Sequence, residues 1–474
     1  MFGAGAVVCL VALALGLGAC GAGNDQTEAA YRVPSLTLGD LHRCKSGPTP
    51  ATLRCGEIWV PFERQDPSLG KTRIGFVVLP RAQRDQPSQG TIFAVEGGPG
   101  YASSWTVRSY ARLFGGLLRR RDMVMVDMRG TGRSRPVSCP DLQFGRAPDW
   151  IALPDCARKL GPRFDSYRTS AAADDINDVR RALGLGRITL YGDSYGTFLS
   201  QSYAFRHPET LNALVLDSAY PVTGESAWYP SLISTGVRSL SIACRRSPSC
   251  AGDAGARLRR LVHLLRASRR GVGPLIDALA VAGNSPPQSY LEIDRAGNQL
   301  VHGNTRPWKR LIVNAKLGYG HLRHYSVTEE EVVSCNDYPL LWDKNASEAQ
   351  RRQQLERAVS TYRNDALAPF TPREVALSSD TLYQYCLTAP RPTSLYEPPV
   401  SPGEHPTEAP VLVVSGELDN VTTPYEGRLV AAKFHDARQY VARGAGHVAD
   451  LYDGSNPPAV RTRHFLRNVL GGQG

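Results

Sequence analysis

Ile188-Thr189-Leu190-Tyr191-Gly192-Asp193-Ser194-Tyr195-Gly196-Thr197 is the stretch that decides the fold. Four residues suited to a strand run into a glycine. A helix-like run, Gly196–Arg206, follows and stops before His207-Pro208. Strand, tight turn and helix around Gly-x-Ser-x-Gly describe a nucleophile elbow. The flanking glycines allow a sharp turn without a Cβ clash, so the Ser194 hydroxyl stands at the sheet edge. The helix N-terminus beside it supplies a positive dipole and free N–H groups.

Outward from this elbow, short apolar runs predict strands at Glu57–Phe62, Arg73–Leu79, Thr91–Glu96, Met123–Met128, Ile188–Tyr191, Ala213–Asp217, Val411–Ser415 and Gln439–Ala442. Helical stretches such as Ala171–Leu185 alternate with them, and its early Asp174 and Asp175 suit a helix dipole. The alternation predicts an α/β fold, with a mostly parallel eight-stranded sheet covered on both faces. It stops after Ala219-Tyr220-Pro221. From 225 to 400 the pattern is helical, as in Ala256–Ala267 and Glu348–Tyr362, the latter with Ser347 placed as an N-cap. Pro390, Pro392, Pro398, Pro399, Pro402, Pro406 and Pro410 mark the return to strand at Val411. The expected organisation is a core in two parts, 41–224 and 401–474, with a helical lid inserted at 225–400.

A serine hydroxyl needs a base, and the base needs an orienting acid. In this architecture the chain order is Ser, acid, His. Asp419 follows the buried strand Val411–Ser415, and His447 lies in the Gly-rich loop Arg443-Gly444-Ala445-Gly446 after the last strand. Ser194, Asp419 and His447 are therefore the expected catalytic residues, with Asp217 and Glu417 as rival acids. An oxyanion needs two aimed N–H donors. Tyr195, after the nucleophile, should give one. The loop Glu96-Gly97-Gly98-Pro99-Gly100 should give the other, from Gly98 or its rival Gly97.

The 474 residues are 42% hydrophobic and 21% charged, which excludes a disordered chain, a coiled coil and a multi-span membrane protein. The net charge of +11 lies partly in runs such as Arg119-Arg120-Arg121 without interleaved aromatics. Such runs are usually solvated faces, and no nucleic-acid partner is expected. There is no His-Glu-x-x-His, no Cys-x-x-Cys and no complete dinucleotide fingerprint, because Gly130-Thr131-Gly132 lacks its third glycine. Neither metal nor cofactor is expected.

Ala6–Ala19 is an apolar run too short to span a bilayer comfortably, and it leads into Leu17-Gly18-Ala19-Cys20. This pattern resembles a bacterial lipobox, although no Lys or Arg precedes the run. Residues 1–20 are expected to be a signal peptide with Cys20 lipidated, and 21–40 a polar tether; an ordinary cleaved signal, giving a secreted protein, is the alternative. A lipid anchor would be the one membrane contact. Eight further cysteines suggest disulfides in an oxidising compartment. Chain proximity pairs them as Cys44–Cys55, Cys139–Cys156, Cys244–Cys250 and Cys335–Cys386.

Glu96-Gly97-Gly98-Pro99-Gly100, Asp127-Met128-Arg129-Gly130-Thr131-Gly132-Arg133-Ser134 and Gly192-Asp193-Ser194-Tyr195-Gly196 together resemble the proline iminopeptidase and tripeptidyl aminopeptidase branch of the α/β-hydrolases. Gly416-Glu417-Leu418-Asp419 and Gly446-His447 look like the C-terminal part of secreted actinobacterial tripeptidyl-aminopeptidase-like proteins. The resemblance covers roughly 55–470 and is weakest in the lid. Proline iminopeptidases usually carry His where this chain has Glu96, so the tripeptidyl type fits better. The resemblance implies structural roles for Asp127 and Arg129, and an exported serine aminopeptidase releasing short N-terminal peptides. An esterase, lipase or thioesterase with the same three residues is the alternative, so the partner is a peptide or a small ester. An aminopeptidase must hold a charged amine, which calls for a lid carboxylate. Thr328-Glu329-Glu330-Glu331-Val332-Val333-Ser334-Cys335-Asn336-Asp337 is the acidic region, with Glu331 and Asp337 as candidates and Glu96 as a third.

Overall fold

Each apolar run named above is a strand in the computed structural model, which describes residues 31–44, 52–224, 228–250, 252–269, 271–315, 324–376, 378, 384–451 and 453–471. The strands are β1 (His42–Arg43), β2 (Arg54–Pro61), β3 (Lys71–Leu79), β4 (Thr91–Val95), β5 (Asp122–Val126), β6 (Ile188–Asp193), β7 (Leu211–Asp217), β8 (Val411–Gly416) and β9 (Ala437–Ala442). They make one sheet in the order β1-β2-β3-β5-β4-β6-β7-β8-β9. The β1–β2, β2–β3 and β3–β5 pairs are antiparallel, and all the others are parallel. The sheet thus has nine strands, not the eight expected. The extra strand is two residues long, both exposed, so it carries no apolar alternation. It pairs His42 with Cys55 and Arg43 with Arg54, right beside the Cys44–Cys55 disulfide.

β4, β6 and β8 are buried at every position, as parallel strands covered on both faces must be. The helices are α1 (Val107–Phe114), α2 (Pro140–Gln143), α3 (Asp149–Leu160), α4 (Thr169–Ala182), α5 (Tyr195–Arg206), α6 (Trp228–Arg245), α7 (Ala254–Arg266), α8 (Gly273–Ala280), α9 (Gln288–Val301), α10 (Arg306–Ala315), α11 (Val327–Asp337), α12 (Glu348–Thr361), α13 (Pro372–Ala376), α14 (Pro424–Ala431) and α15 (Pro457–Gly471). α1 and α15 cover one face of the sheet. There Tyr110, Leu113, Phe114 and Leu466 pack on Ile92, Met123, Met125, Tyr191, Val215 and Leu412. Each such side chain contributes about 1.5–3 kcal/mol when fully buried.

Between β7 and β8 the regular elements among the described residues are all helices, with no strand. Ser347 caps α12 in a full capping box with Gln350. α11 is bound tightly to the α/β part. The Ser326 hydroxyl donates to the Val137 carbonyl (2.7 Å), and the Cys139 N–H donates to Thr328 Oγ1 (2.8 Å). Gln143 bonds both Tyr325 O and the Val327 N–H, each at 3.0 Å. Asn336 Nδ2 donates to the carbonyls of Phe164 and Tyr167, also at 3.0 Å each. The inserted helices therefore share one compact unit, Val33–Gly474, with the sheet.

All four disulfides join the cysteines paired above. Among the described residues no helix is long and apolar enough to cross a membrane. The signal segment, Cys20 and the start of the tether lie outside the described residues. Disulfides stabilise largely by shortening the unfolded chain's loops. Cys335–Cys386 spans 51 residues and Cys244–Cys250 only 6. Replacing the first pair by serine should cost about 4 kcal/mol and the second about 2 kcal/mol. Paired thermal and denaturant melts check the ordering. Equal losses would mean that loop entropy is not what these bridges supply.

Candidate active site

Ser194 lies between β6 and α5 with φ 51° and ψ −123°, a left-handed conformation unusual for a residue with a side chain. Its N–H donates to the Asp217 carbonyl at the end of β7 (3.0 Å), and its own carbonyl accepts from the Thr197 N–H (2.9 Å). The turn is tight enough to require glycine at Gly196. A Cβ there would lie 2.3 Å from the Val95 carbonyl oxygen. Ser194 itself is partly exposed.

His447 and Asp419 meet this serine in line. His447 Nε2 is 3.0 Å from Ser194 Oγ, and His447 Nδ1 is 3.0 Å from Asp419 Oδ2. Asp419 is wholly buried, and its Oδ1 accepts the N–H groups of Val421 (2.9 Å) and Thr422 (3.0 Å). The Thr422 hydroxyl donates to Asp419 Oδ2 (2.9 Å) and lies 3.1 Å from His447 Nδ1. The His447 N–H is held by the Gly283 carbonyl of the inserted region (2.8 Å). A hydroxyl, an imidazole and a buried carboxylate joined in this order can generate a serine nucleophile. Thr422, missed in the sequence reading, bridges the last two.

Neither rival acid reaches His447. Glu417 takes two bonds from Arg246 (2.6 and 2.9 Å) and one from the Gly444 N–H (2.8 Å). The Arg246 bond holds its carboxyl below the usual range. Asp217 is buried against Asp450.

Of the expected oxyanion donors, Tyr195 opens α5 directly after the nucleophile. In the facing loop Gly97 lies against Ser194. A Cβ there would sit 2.7 Å from Ser194 Cβ and 3.1 Å from its Oγ, so only glycine leaves room for a reacting carbonyl. The Gly97 and Gly98 amides flank that Cα. Glu96 shares the Tyr110 hydroxyl (3.2 Å) with Asp193 (2.6 Å). Burial, then the Glu96 charge, raises the Asp193 carboxyl well above its ordinary range.

The acidic helix α11 points its carboxylates in different directions. Asp337 Oδ2 accepts the Thr169 N–H and hydroxyl (2.5 Å each) and so caps α4, and Thr169 Oγ1 is 2.9 Å from the Tyr195 hydroxyl. Asp337 also lines a cavity of about 520 Å³ with Tyr338, Lys344 and Tyr396. Burial raises Asp337 and pulls Lys344 down to about 8. Glu331 is buried, with burial and then Asp149 raising its carboxyl. Glu329 is wholly buried against Gly130. Glu330 is half-buried; burial, then the charges of Glu96 and Glu330, raise the Tyr101 hydroxyl next to Gly100.

Two family models match the chain: the alpha/beta hydrolase fold over residues 90–234 and the TAP-like protein over residues 374–469. The chain has the α/β-hydrolase fold. It is 26% identical over 210 residues to a tripeptidyl aminopeptidase of Streptomyces coelicolor, covering 40% of this chain and 39% of the relative. It is 27% identical over 194 residues to the serine protease Hip1 of Mycobacterium tuberculosis, covering 36% of each. A proline iminopeptidase of Neisseria meningitidis is 32% identical over 125 residues, 26% of this chain and 31% of the relative. The chain thus spans less than two fifths of the length of these curated relatives.

A fluorophosphonate should phosphonylate Ser194 and no other residue. Ser194→Ala should abolish labelling, and His447→Gln should slow it at least ~100-fold. Glu417→Gln should stay within about twofold of wild type. Gly196→Ala should stop labelling by displacing the elbow. Mass spectrometry of labelled digests reads all four.

Proposed function

We propose that this protein is an exported serine aminopeptidase that removes short peptides, of the tripeptidyl type, from free N-termini. The observation that carries it is the in-line arrangement of Ser194, His447 and Asp419 at a strained β–α elbow. Ser194 attacks the scissile carbonyl while His447 takes its proton, and Asp419 holds the imidazole in the productive tautomer. The Tyr195 and Gly98 N–H groups receive the oxyanion. His447 then protonates the leaving amine. The N-terminal fragment stays on Ser194 as an ester, and water activated by the same imidazole releases it. The relatives named as peptidases support this choice over esters.

A peptide's free amine needs a carboxylate that is near the cleft and reachable. Glu330 fits that need better than Glu331 or Asp337, since it is half-buried and they are buried; Glu96 is also half-buried and acts more strongly on Tyr101, but accepts the Tyr110 hydroxyl. Tyr101 and Trp105, both 42% exposed and packed on Tyr325 and His324, form an aromatic rim. For export, the support is four disulfides, which persist in oxidising compartments, and the lipobox-like Cys20.

Matched fluorogenic tripeptides with free and blocked amines, beside short acyl esters, test the substrate class. Free-amine peptides should be cleaved and blocked ones not. Glu330→Gln should raise KM for free-amine peptides roughly tenfold, the worth of one charge-assisted hydrogen bond. It should leave ester hydrolysis alone. Ester cleavage without peptide cleavage would overturn the peptidase reading, and equal effects of Glu330→Gln on both substrates would remove it as the amine ligand.

A further inference from the structure

Asp217 touches both halves of the candidate machinery. Its backbone carbonyl takes the Ser194 N–H (3.0 Å). Its carboxyl faces that of Asp450, which lies three residues beyond His447 in the turn Ala449–Leu451, and Asp450 helps burial to raise it. Both side chains are buried, at 1% and 0% exposure, and neither forms an ion pair among the described residues. Asp450 is fixed from two further sides. The Tyr191 hydroxyl of β6 donates to its Oδ1 (2.7 Å), and the Thr462 hydroxyl of α15 donates to its Oδ2 (3.1 Å). Asp217 Oδ1 accepts the Ser218 hydroxyl (3.4 Å), and its buried Oδ2 takes no bond from a donor. A second strand of the link runs through Ser218, whose Oγ accepts the Val448 N–H (2.8 Å). Ser218 and Val448 are both held at positive φ, 59° and 51°.

Two buried carboxyls in contact cannot both be ionised, so the pair must hold a proton. With that proton the contact is a hydrogen bond; without it, two like charges push apart in a medium that screens them poorly. We propose that Asp217 and Asp450 are positioning residues that share one proton and thereby hold the His447 loop at its distance from Ser194. The proposal rests on Ser194 and His447 being nucleophile and base. The groups facing the pair are Asp193 of β6 and Asp419 after β8 on the Asp217 side, Tyr191 between them, and Arg463 of α15 on the Asp450 side. The two aspartates and the absence of a bonded cation favour the protonated pair, and Arg463 opposes it. Burial and then Asp450 raise Asp217 well above its ordinary range, and burial raises Asp450. A raised pKa gives a contribution fully present at low pH and lost as pH climbs through the folded value. The pair therefore predicts an alkaline loss of Ser194 reactivity that does not depend on His447 charge.

The test is the rate of fluorophosphonate labelling of the full chain across pH, with melting temperature measured at each pH. Asp450→Asn keeps a hydrogen bond to an ionised Asp217 with no proton to lose. Asp450→Ala removes it. The proposal expects Asp450→Ala to slow labelling by about tenfold or more at neutral pH. Asp450→Asn should recover most of that loss, and its alkaline limb should move up by at least about one pH unit. If Asp450→Asn keeps the wild-type alkaline limb while folded, or is no better than Asp450→Ala, the shared proton is wrong. If wild type labels at no pH, the nucleophile assignment fails and the positioning role with it.

Discussion

A residue with a side chain held at φ 51° and ψ −123° costs roughly 1–3 kcal/mol that its surroundings must return. Ser194 is that residue. Its N–H is tied to the end of β7, its carbonyl accepts both the N–H and the hydroxyl of Thr197 (2.9 and 2.7 Å), and Gly196 presses onto the Val95 carbonyl at the end of β4. Three adjacent parallel strands, β4, β6 and β7, thus converge on one peptide turn. The complete burial of β4 and β6 and the near-complete burial of β7 make the turn rigid, because slackness in any of them would let Ser194 relax to an ordinary conformation. The loops carrying Asp419 and His447 leave β8 and β9 on the same sheet edge, so the same parallel register that strains the serine also delivers its partners.

The helical insertion is less independent of this edge than its length suggests. The Gly283 carbonyl, within the insertion, holds the His447 backbone, and Asn420, next to Asp419, accepts the Gly283 N–H (2.8 Å). α11 is bonded to the segment 137–167 and, through Asp337, to the start of α4. Rocking the whole insertion as a lid would break these bonds. Substrate access through this protein must depend on smaller elements than the entire insertion.

Much of this was legible in the residues alone, for local reasons. A strand, two glycines around a serine and a helix are neighbours in the chain, so the elbow and the Ser, Asp, His order could be read directly. The disulfide partners are also chain neighbours, apart from Cys335 and Cys386. What escaped depends on tertiary placement. β1 is defined by its partner strand, not by its own two exposed residues. Three successive glutamates on a helix point about 100° apart, so Glu329, Glu330 and Glu331 cannot share an environment. Which one faces the cleft depends on how α11 docks. Asp337 took a capping role at α4, 168 residues earlier in the chain, which no local pattern announces. Asp450 did carry a faint signal, a carboxylate three residues after the histidine in the same loop.

The account stands on Ser194 carrying the N-terminal fragment of a peptide as an ester. Rapid acid quench of the enzyme with a free-amine peptide, followed by intact mass and peptide mapping, measures this directly. The account predicts a mass increase equal to a short N-terminal acyl fragment, located on Ser194. Peptide turnover with no adduct on Ser194, or with the adduct on another residue, would contradict it.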